Sequence, residues 1–208
     1  MTGAILAGGE SKRMGLNKAF VEVGGIPIIE RALKVLKGLF DEVFIVATQP
    51  EPYAHLGCPI HIDLLPGNDS LGGVHAALSY ASSEVCFLCA CDMPFLNPQL
   101  IRYLAELAPG ADAVVPKSPD GLQPLHAIYT ESCLPAIEES IAAGELKLAD
   151  LISLVNVRVV EGAELAELDP DGRSFFNINR MDDLEEANII ARTLESRGGA
   201  HHTEGRNS

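Results

Sequence analysis

The chain has 208 residues, 47% of them hydrophobic and 5% aromatic, which suits one domain with a sizeable core. A formal charge of −14 argues against nucleic-acid polymers as partners, whose binding rests on a basic surface. No apolar run approaches the roughly 20 residues of a membrane span, and no basic leader with a long apolar stretch opens the sequence, so a cytoplasmic protein is expected.

Short β-branched runs alternate with segments of helical period, the pattern of βαβ units. The expected fold is a single-domain, three-layer α/β/α sandwich on a mostly parallel, Rossmann-like sheet. In chain order, a strand over Gly3–Ala7 gives way to a long loop from Gly8 to Lys18, then to a short strand over Ala19–Val23. Pro27 opens a helix that ends at Gly38. Strands follow at Val43–Thr48 and Ile60–Asp63. The cluster Gly67-Asn68-Asp69-Ser70 offers Asp69 or Ser70 as N-cap of a helix reaching Ser82.

Val85–Ala90 is the most apolar strand and is expected at the centre of the sheet. A helix from Pro98 to Leu107 precedes strands at Ala113–Pro116 and His126–Thr130. Helices over Glu131–Ala143 and Leu146–Ser153, a strand over Asn156–Glu161, another over Phe175–Ile178 and a helix from Met181 to Ser196 complete a domain over residues 1–196. Residues 197–208 read as a disordered polar tail.

The five cysteines are an odd set without an export signal, which argues against a disulfide framework. Cys86 and Cys89 form a CxxC, but on a strand residues three apart point to opposite faces. They are expected to be core residues and not a metal pair.

The densest chemical signal is Leu6-Ala7-Gly8-Gly9-Glu10-Ser11-Lys12-Arg13-Met14-Gly15-Leu16-Asn17-Lys18. A strand running into two glycines lets backbone N–H groups approach a ligand and point at phosphate oxygens. Arg13 and Lys18 add mobile charge, and three cations against one carboxylate make residues 1–18 positive in an acidic chain. An ordinary surface loop with a solvated basic pair is the bland alternative. The segment is neither a P-loop nor a dinucleotide fingerprint.

The second signal is Cys89-Ala90-Cys91-Asp92-Met93-Pro94. The apolar strand delivers Asp92 to its carboxyl end, where open α/β sheets bind ligands. A hard oxygen there suits Mg²⁺, which typically takes one or two carboxylates plus substrate phosphates. Capping the next turn is the alternative. Asp63 ends another strand at the same edge and reads equally as ligand or turn former. Gly72 and Gly73 permit close approach to a base or ribose, or simply make a turn. Asn177 and Asn179 would share one face of a strand, and Asp182 could cap the final helix, where a capping-and-turn role competes with binding.

The first segment resembles the L-A-G-G-x-S-x-R-M-G-x-x-K signature of the nucleotidyltransferase superfamily. From Gly3 to Ala191 the chain looks most like the molybdenum cofactor guanylyltransferases within it. The resemblance implies a nucleotide-diphospho-sugar transferase-like fold and transfer of GMP from GTP to the terminal phosphate of Mo-molybdopterin. It assigns Leu6, Ala7, Gly8, Gly9, Arg13, Lys18, Asp63, Gly72, Gly73 and Asp92 to the nucleotide, with Arg13, Lys18 and Asp92 catalytic. Asp92 matches the magnesium ligand, and Mn²⁺ is expected to substitute. His126, Asn177 and Asn179 fall where the family binds its acceptor, although His126 reads equally as a structural strand residue. Molybdoenzymes or other cofactor-biosynthesis proteins are the implied partners.

The chain departs from the pattern in two places. Asp69-Ser70 replaces Gly-Pro before the glycine pair, and Val46-Ala47-Thr48 stands where guanylyltransferases often carry an Asn. A CTP-dependent enzyme or one using another phosphorylated acceptor is therefore the nearest alternative. A non-catalytic nucleotide or cofactor carrier is the alternative of another class.

Overall fold

The first strand, β1 (Thr2–Leu6), is buried along its whole length because helices cover both faces of the sheet it enters. The computed structural model describes residues 1–7, 17–65 and 67–200. Within β1 the side chains alternate between two cores, Ile5 into one and Ala4 and Leu6 into the other.

After residue 17 a 3₁₀ turn over Lys18–Phe20 leads into β2 (Glu22–Val23), which pairs antiparallel with β3 (Ile26–Pro27). The strand expected over Ala19–Val23 is thus mostly a turn. Gly24 and Gly25, at φ 60° and 72°, make a tight reversal that feeds the chain back at once. Pro27 stands at the N-cap of α1 (Ile28–Lys37), one place earlier than expected. Ile28, Ile29, Ala32, Leu33 and Leu36 form the apolar stripe of α1. Next come β4 (Glu42–Ala47), a 3₁₀ turn over Glu51–Leu56 with no strong local signal in the sequence, and β5 (Ile60–Ile62).

Helix α2 (Asp69–Tyr80) takes Asn68 as its N-cap with no side-chain capping bond, in place of Asp69 or Ser70. Then follow β6 (Val85–Ala90), α3 (Pro98–Glu106), β7 (Ala113–Ser118), the short β8 (Gly121–Leu122) and β9 (His126–Thr130). The helix expected over Glu131–Ala143 is a 3₁₀ turn followed by α4 (Leu134–Ala143), since Pro135 fits a first turn and not an interior. The chain closes with α5 (Leu148–Leu154), β10 (Val157–Val160), α6 (Gly162–Leu168) and α7 (Met181–Ala200). The expected strand at Phe175–Ile178 does not form. A 3₁₀ turn over Arg173–Phe175 and extended chain replace it.

The main sheet runs β10-β7-β9-β6-β1-β4-β5, with β8 paired to β7, so β6 is central as expected. Every neighbouring pair is parallel except those involving β9 or β8. One face packs on α1, α3 and α6, through residues such as Leu33, Leu104 and Leu165. The other packs on α2, α4 and α5, through Leu71, Ile137 and Leu151. This is the expected three-layer α/β/α arrangement. A smaller cluster joins Val21, Val23 and Ile28 to Ile178, Ala187 and Ala191, so the final helix covers the hairpin near the start of the chain.

The CxxC pair divides as predicted. Cys86 enters one core and Cys89 the other. Burial pushes both thiols up from their ordinary value.

Candidate active site

Strands β5, β4, β1 and β6 are neighbours and parallel, so their carboxyl ends form one edge. The register pairs Leu6 with Val46 and Ala90, and Ala47 with Ile62. Ala7, Thr48, Asp63 and Asp92 consequently emerge side by side. Two further ladder bonds, from the Ala7 amide to the Val46 carbonyl (2.8 Å) and from the Cys91 amide to the Leu6 carbonyl (3.1 Å), continue the pairing past the strand ends. The edge is where open α/β sheets place ligands.

At its centre, the Lys18 ammonium reaches Asp92 Oδ2 at 3.2 Å and donates to Asn179 Oδ1 at 2.6 Å. The ion pair is largely shielded, with 20% and 18% of the two side chains exposed. Three segments far apart in sequence thus meet on one cation. Each has its own anchor, and the segments of Asp92 and Asn179 are also tied to each other. Asn17 Oδ1 accepts from the Ala19 amide (3.1 Å) and so sets the 3₁₀ turn that carries Lys18. Met93 is 2% exposed and anchors the Asp92 loop in the core, while the Asp92 carbonyl accepts from the Ile178 amide at 3.0 Å. Asp183 Oδ2 accepts from the amides of Asn179 (2.7 Å) and Arg180 (2.8 Å), reaching back from the first turn of α7. Asp183 therefore does the work expected of Asp182.

Asp63 is half-buried and its Oδ1 accepts from the Leu65 amide at 3.0 Å. It lies three strands from Asp92, roughly 14 Å at ordinary strand spacing. One cation with ligands at about 2.1 Å cannot touch both carboxylates. The two mark opposite ends of a trench.

Gly72 and Gly73 have packing reasons to be glycine. A Cβ on Gly72 would fall 2.8 Å from the Leu65 carbonyl oxygen and 3.3 Å from Asp63 Oδ1. On Gly73 it would meet a Leu6 methyl at 3.3 Å. The pair lets α2 approach both β1 and the Asp63 turn.

His126 is fully buried behind the edge, its ring at right angles to those of Phe87 and Phe175, and neither ring nitrogen has a partner among the described residues. Burial lowers its pKa to about 3, so it is a neutral core residue here, out of reach of a ligand at the edge. Asn177 donates to the Phe175 carbonyl at 2.9 Å and braces its own turn, whereas Asn179 is exposed and engages Lys18. With no strand at 175–178, the shared strand face expected for the two amides is absent. Leu6 and Ala7 sit where expected, at the end of β1. Gly8, Gly9 and Arg13 lie outside the described residues.

Among the described residues no three of His, Cys, Asp and Glu group as a metal cage. One carboxylate at the edge, with an amide oxygen and a lysine beside it, instead fits a divalent ion that takes its remaining ligands from phosphate and water. A cleft of about 910 Å³ lies at the other end of the sheet, beside Met1, Val85 and Ala108. It carries Glu84 and Glu131 and no basic side chain, which suits no polyanion. Among the described residues no helix is long and apolar enough to cross a membrane.

A family model described as a MobA-like NTP transferase domain matches residues 3–159. A protein of Pelotomaculum thermopropionicum, named "Probable molybdenum cofactor guanylyltransferase", is 44% identical over 190 residues, covering 91% of this chain and 93% of its own. The molybdenum cofactor guanylyltransferase of Desulfosudis oleivorans is 38% identical, covering 90% and 94%. Among solved structures, the molybdopterin-guanine dinucleotide biosynthesis protein A of Archaeoglobus fulgidus superposes with a TM-score of 0.81 at 33% identity, over 93% of this chain and all of that one.

Proposed function

The chain belongs to the MobA-like NTP transferase domain family, and we propose that it transfers GMP from GTP to the terminal phosphate of Mo-molybdopterin. An oxygen of the acceptor phosphate attacks the α-phosphorus of GTP. The bond to the bridging oxygen breaks, pyrophosphate leaves, and the guanine dinucleotide cofactor remains. No protein nucleophile is required, so catalysis rests on alignment and on neutralising charge as it shifts to the departing pyrophosphate.

The observation that carries this reading is the meeting of Lys18, Asp92 and Asn179 at the carboxyl edge of the sheet. Lys18 supplies a cation already held in place, so little reorganisation is needed when a polyanion arrives. Gly8, Gly9 and Arg13 are assigned to the triphosphate with Lys18. Asp63, with α2 brought close by Gly72 and Gly73, is assigned to the nucleoside end of the trench. Asn179, and with it the turn braced by Asn177, faces the acceptor.

Nucleotidyltransferases generally use a divalent metal. Here Asp92 would hold it, and Mg²⁺ is the ion proposed, with Mn²⁺ able to substitute. When bound, such an ion neutralises phosphate charge and fixes phosphate oxygens. The proposed location is the cytoplasm and the proposed partners are molybdoenzymes or other proteins that handle the cofactor.

Pyrophosphate release, measured with Mg²⁺ and Mo-molybdopterin against GTP and CTP in parallel, tests the assignment. Release with GTP alone supports it. Equal or exclusive use of CTP overturns the guanylyl assignment. Binding without release makes the protein a carrier.

A further inference from the structure

Tyr53 lies on the 3₁₀ turn between β4 and β5 and is 4% exposed, yet its hydroxyl is not idle. It donates to the Ala7 carbonyl at 3.0 Å, where β1 ends, and accepts from Asn17 Nδ2 at 3.0 Å. Asn17 in turn holds the Ala19 amide through its Oδ1 and thereby shapes the turn that starts at Lys18. The ring is fixed by a stack on Phe20, centroids 5.4 Å apart, from that same turn. Burial and the nearby Cys91 hold the phenol above its ordinary pKa, so it stays a hydroxyl, able to donate on one side and accept on the other.

We infer that Tyr53 is a positioning residue that acts through Lys18. Its hydroxyl ties the end of β1 to the turn carrying the lysine and so sets where the ammonium stands against Asp92 and Asn179. A hydroxyl is required because the Ala7 carbonyl needs a donor and the Asn17 amide an acceptor. No aliphatic or phenyl group supplies both. The reach across the edge is also specific, since an unpaired carbonyl left near the phosphate-binding end of β1 would repel an anion. The inference rests on the transfer reading above for its kinetic consequence, and on geometry alone for its structural one.

The test is Tyr53→Phe, which keeps the ring and its stack and removes the hydroxyl, made alone and combined with Lys18→Ala. If one neutral hydrogen bond is transmitted to the transition state, turnover falls by about tenfold with the Michaelis constant for GTP little changed. In the Lys18→Ala background the same change should leave turnover almost unaltered, because residues acting as a unit are non-additive. An equal fall in both backgrounds, or none in the first, overturns the inference. A substrate-independent reading is the acylation rate of Lys18 by a water-soluble succinimidyl ester, followed by mass spectrometry against exposed Lys34 in the same sample. Tyr53→Phe should speed labelling of Lys18 relative to Lys34, and an unchanged ratio counts against the tie. Failure of the unmodified chain to release pyrophosphate would remove the transfer reading but leave this labelling ratio to decide the role of Tyr53.

Discussion

Replacing Lys18 with alanine separates chemistry from stability. The change removes the ammonium that meets Asp92 at 3.2 Å and Asn179 at 2.6 Å. The pair is neither fully exposed nor fully buried, at 20% and 18%, so its loss is placed between the two limits, at about 2 kcal/mol. For a chain of this size that lowers the melting temperature by about 4–8 °C. From a native stability of about 5–15 kcal/mol the protein remains folded at about 25 °C. The kinetic loss is larger. Removing one preorganised charge stabiliser raises the barrier by about 3–4 kcal/mol, a fall in turnover of roughly a hundredfold to a thousandfold. Pyrophosphate release under saturating GTP, Mg²⁺ and acceptor, read beside a thermal melt, checks both numbers. Turnover near that of the unmodified chain would refute the idea that this ammonium carries transition-state charge. A collapse of the fold would refute the ranking of the two effects.

Other outcomes follow from single features. His126, held neutral with a pKa of about 3, binds its proton in the unfolded chain near pH 6.5 but not in the folded one. It therefore adds nothing to pH dependence above about 6.5 and weakens the fold as pH drops from there towards 3, by about 2 kcal/mol at pH 5. Urea unfolding at pH 7.5 and 5 should show a smaller acid loss in His126→Leu, and identical losses would rule this out. Gly72→Ala forces a Cβ to 2.8 Å from a backbone oxygen, whereas Gly73→Ala meets only a Leu6 methyl at 3.3 Å. Gly72→Ala should be the more destabilising by about 1 kcal/mol or more in thermal melts, and the reverse order would show that the turn yields freely. Iodoacetamide at about pH 8 should spare Cys86, Cys89 and Cys133 in the native protein, since burial holds their thiols protonated, Cys133 at about 11. Rapid labelling of Cys89 would mean that the central strand opens.

Strong local patterns carried most of the architecture in the sequence. The six apolar residues Val85–Ala90 could only be a strand covered on both faces, and it is the central one. Asp92 was legible too, lying just beyond a strand at the ligand edge, and so was Lys18, which closes the basic, glycine-rich segment after β1. What escaped was long-range. Phe175–Ile178 has the composition of a strand, but no open partner edge receives it, and its backbone is instead fastened to Asp92 through Ile178. Asp182 and Asp183 are adjacent acids, and only the entry angle of α7 decides which one reaches the amides of Asn179 and Arg180. Tyr53 is not legible because a tyrosine in a short turn bears no local mark of the carbonyl 46 residues away to which it is bound.

The hairpin that follows Lys18 is sealed by Ile178, Ala187 and Ala191, so it depends on a segment that comes after every strand of the main sheet. During synthesis, β1, β4, β5 and β6 all leave the ribosome long before residues 178–191 do. The nascent chain can therefore build half of its sheet while Lys18 still lacks Asn179. A product cut before Ile178, however well folded its first half, would leave Val21, Val23 and Ile28 without their apolar cover.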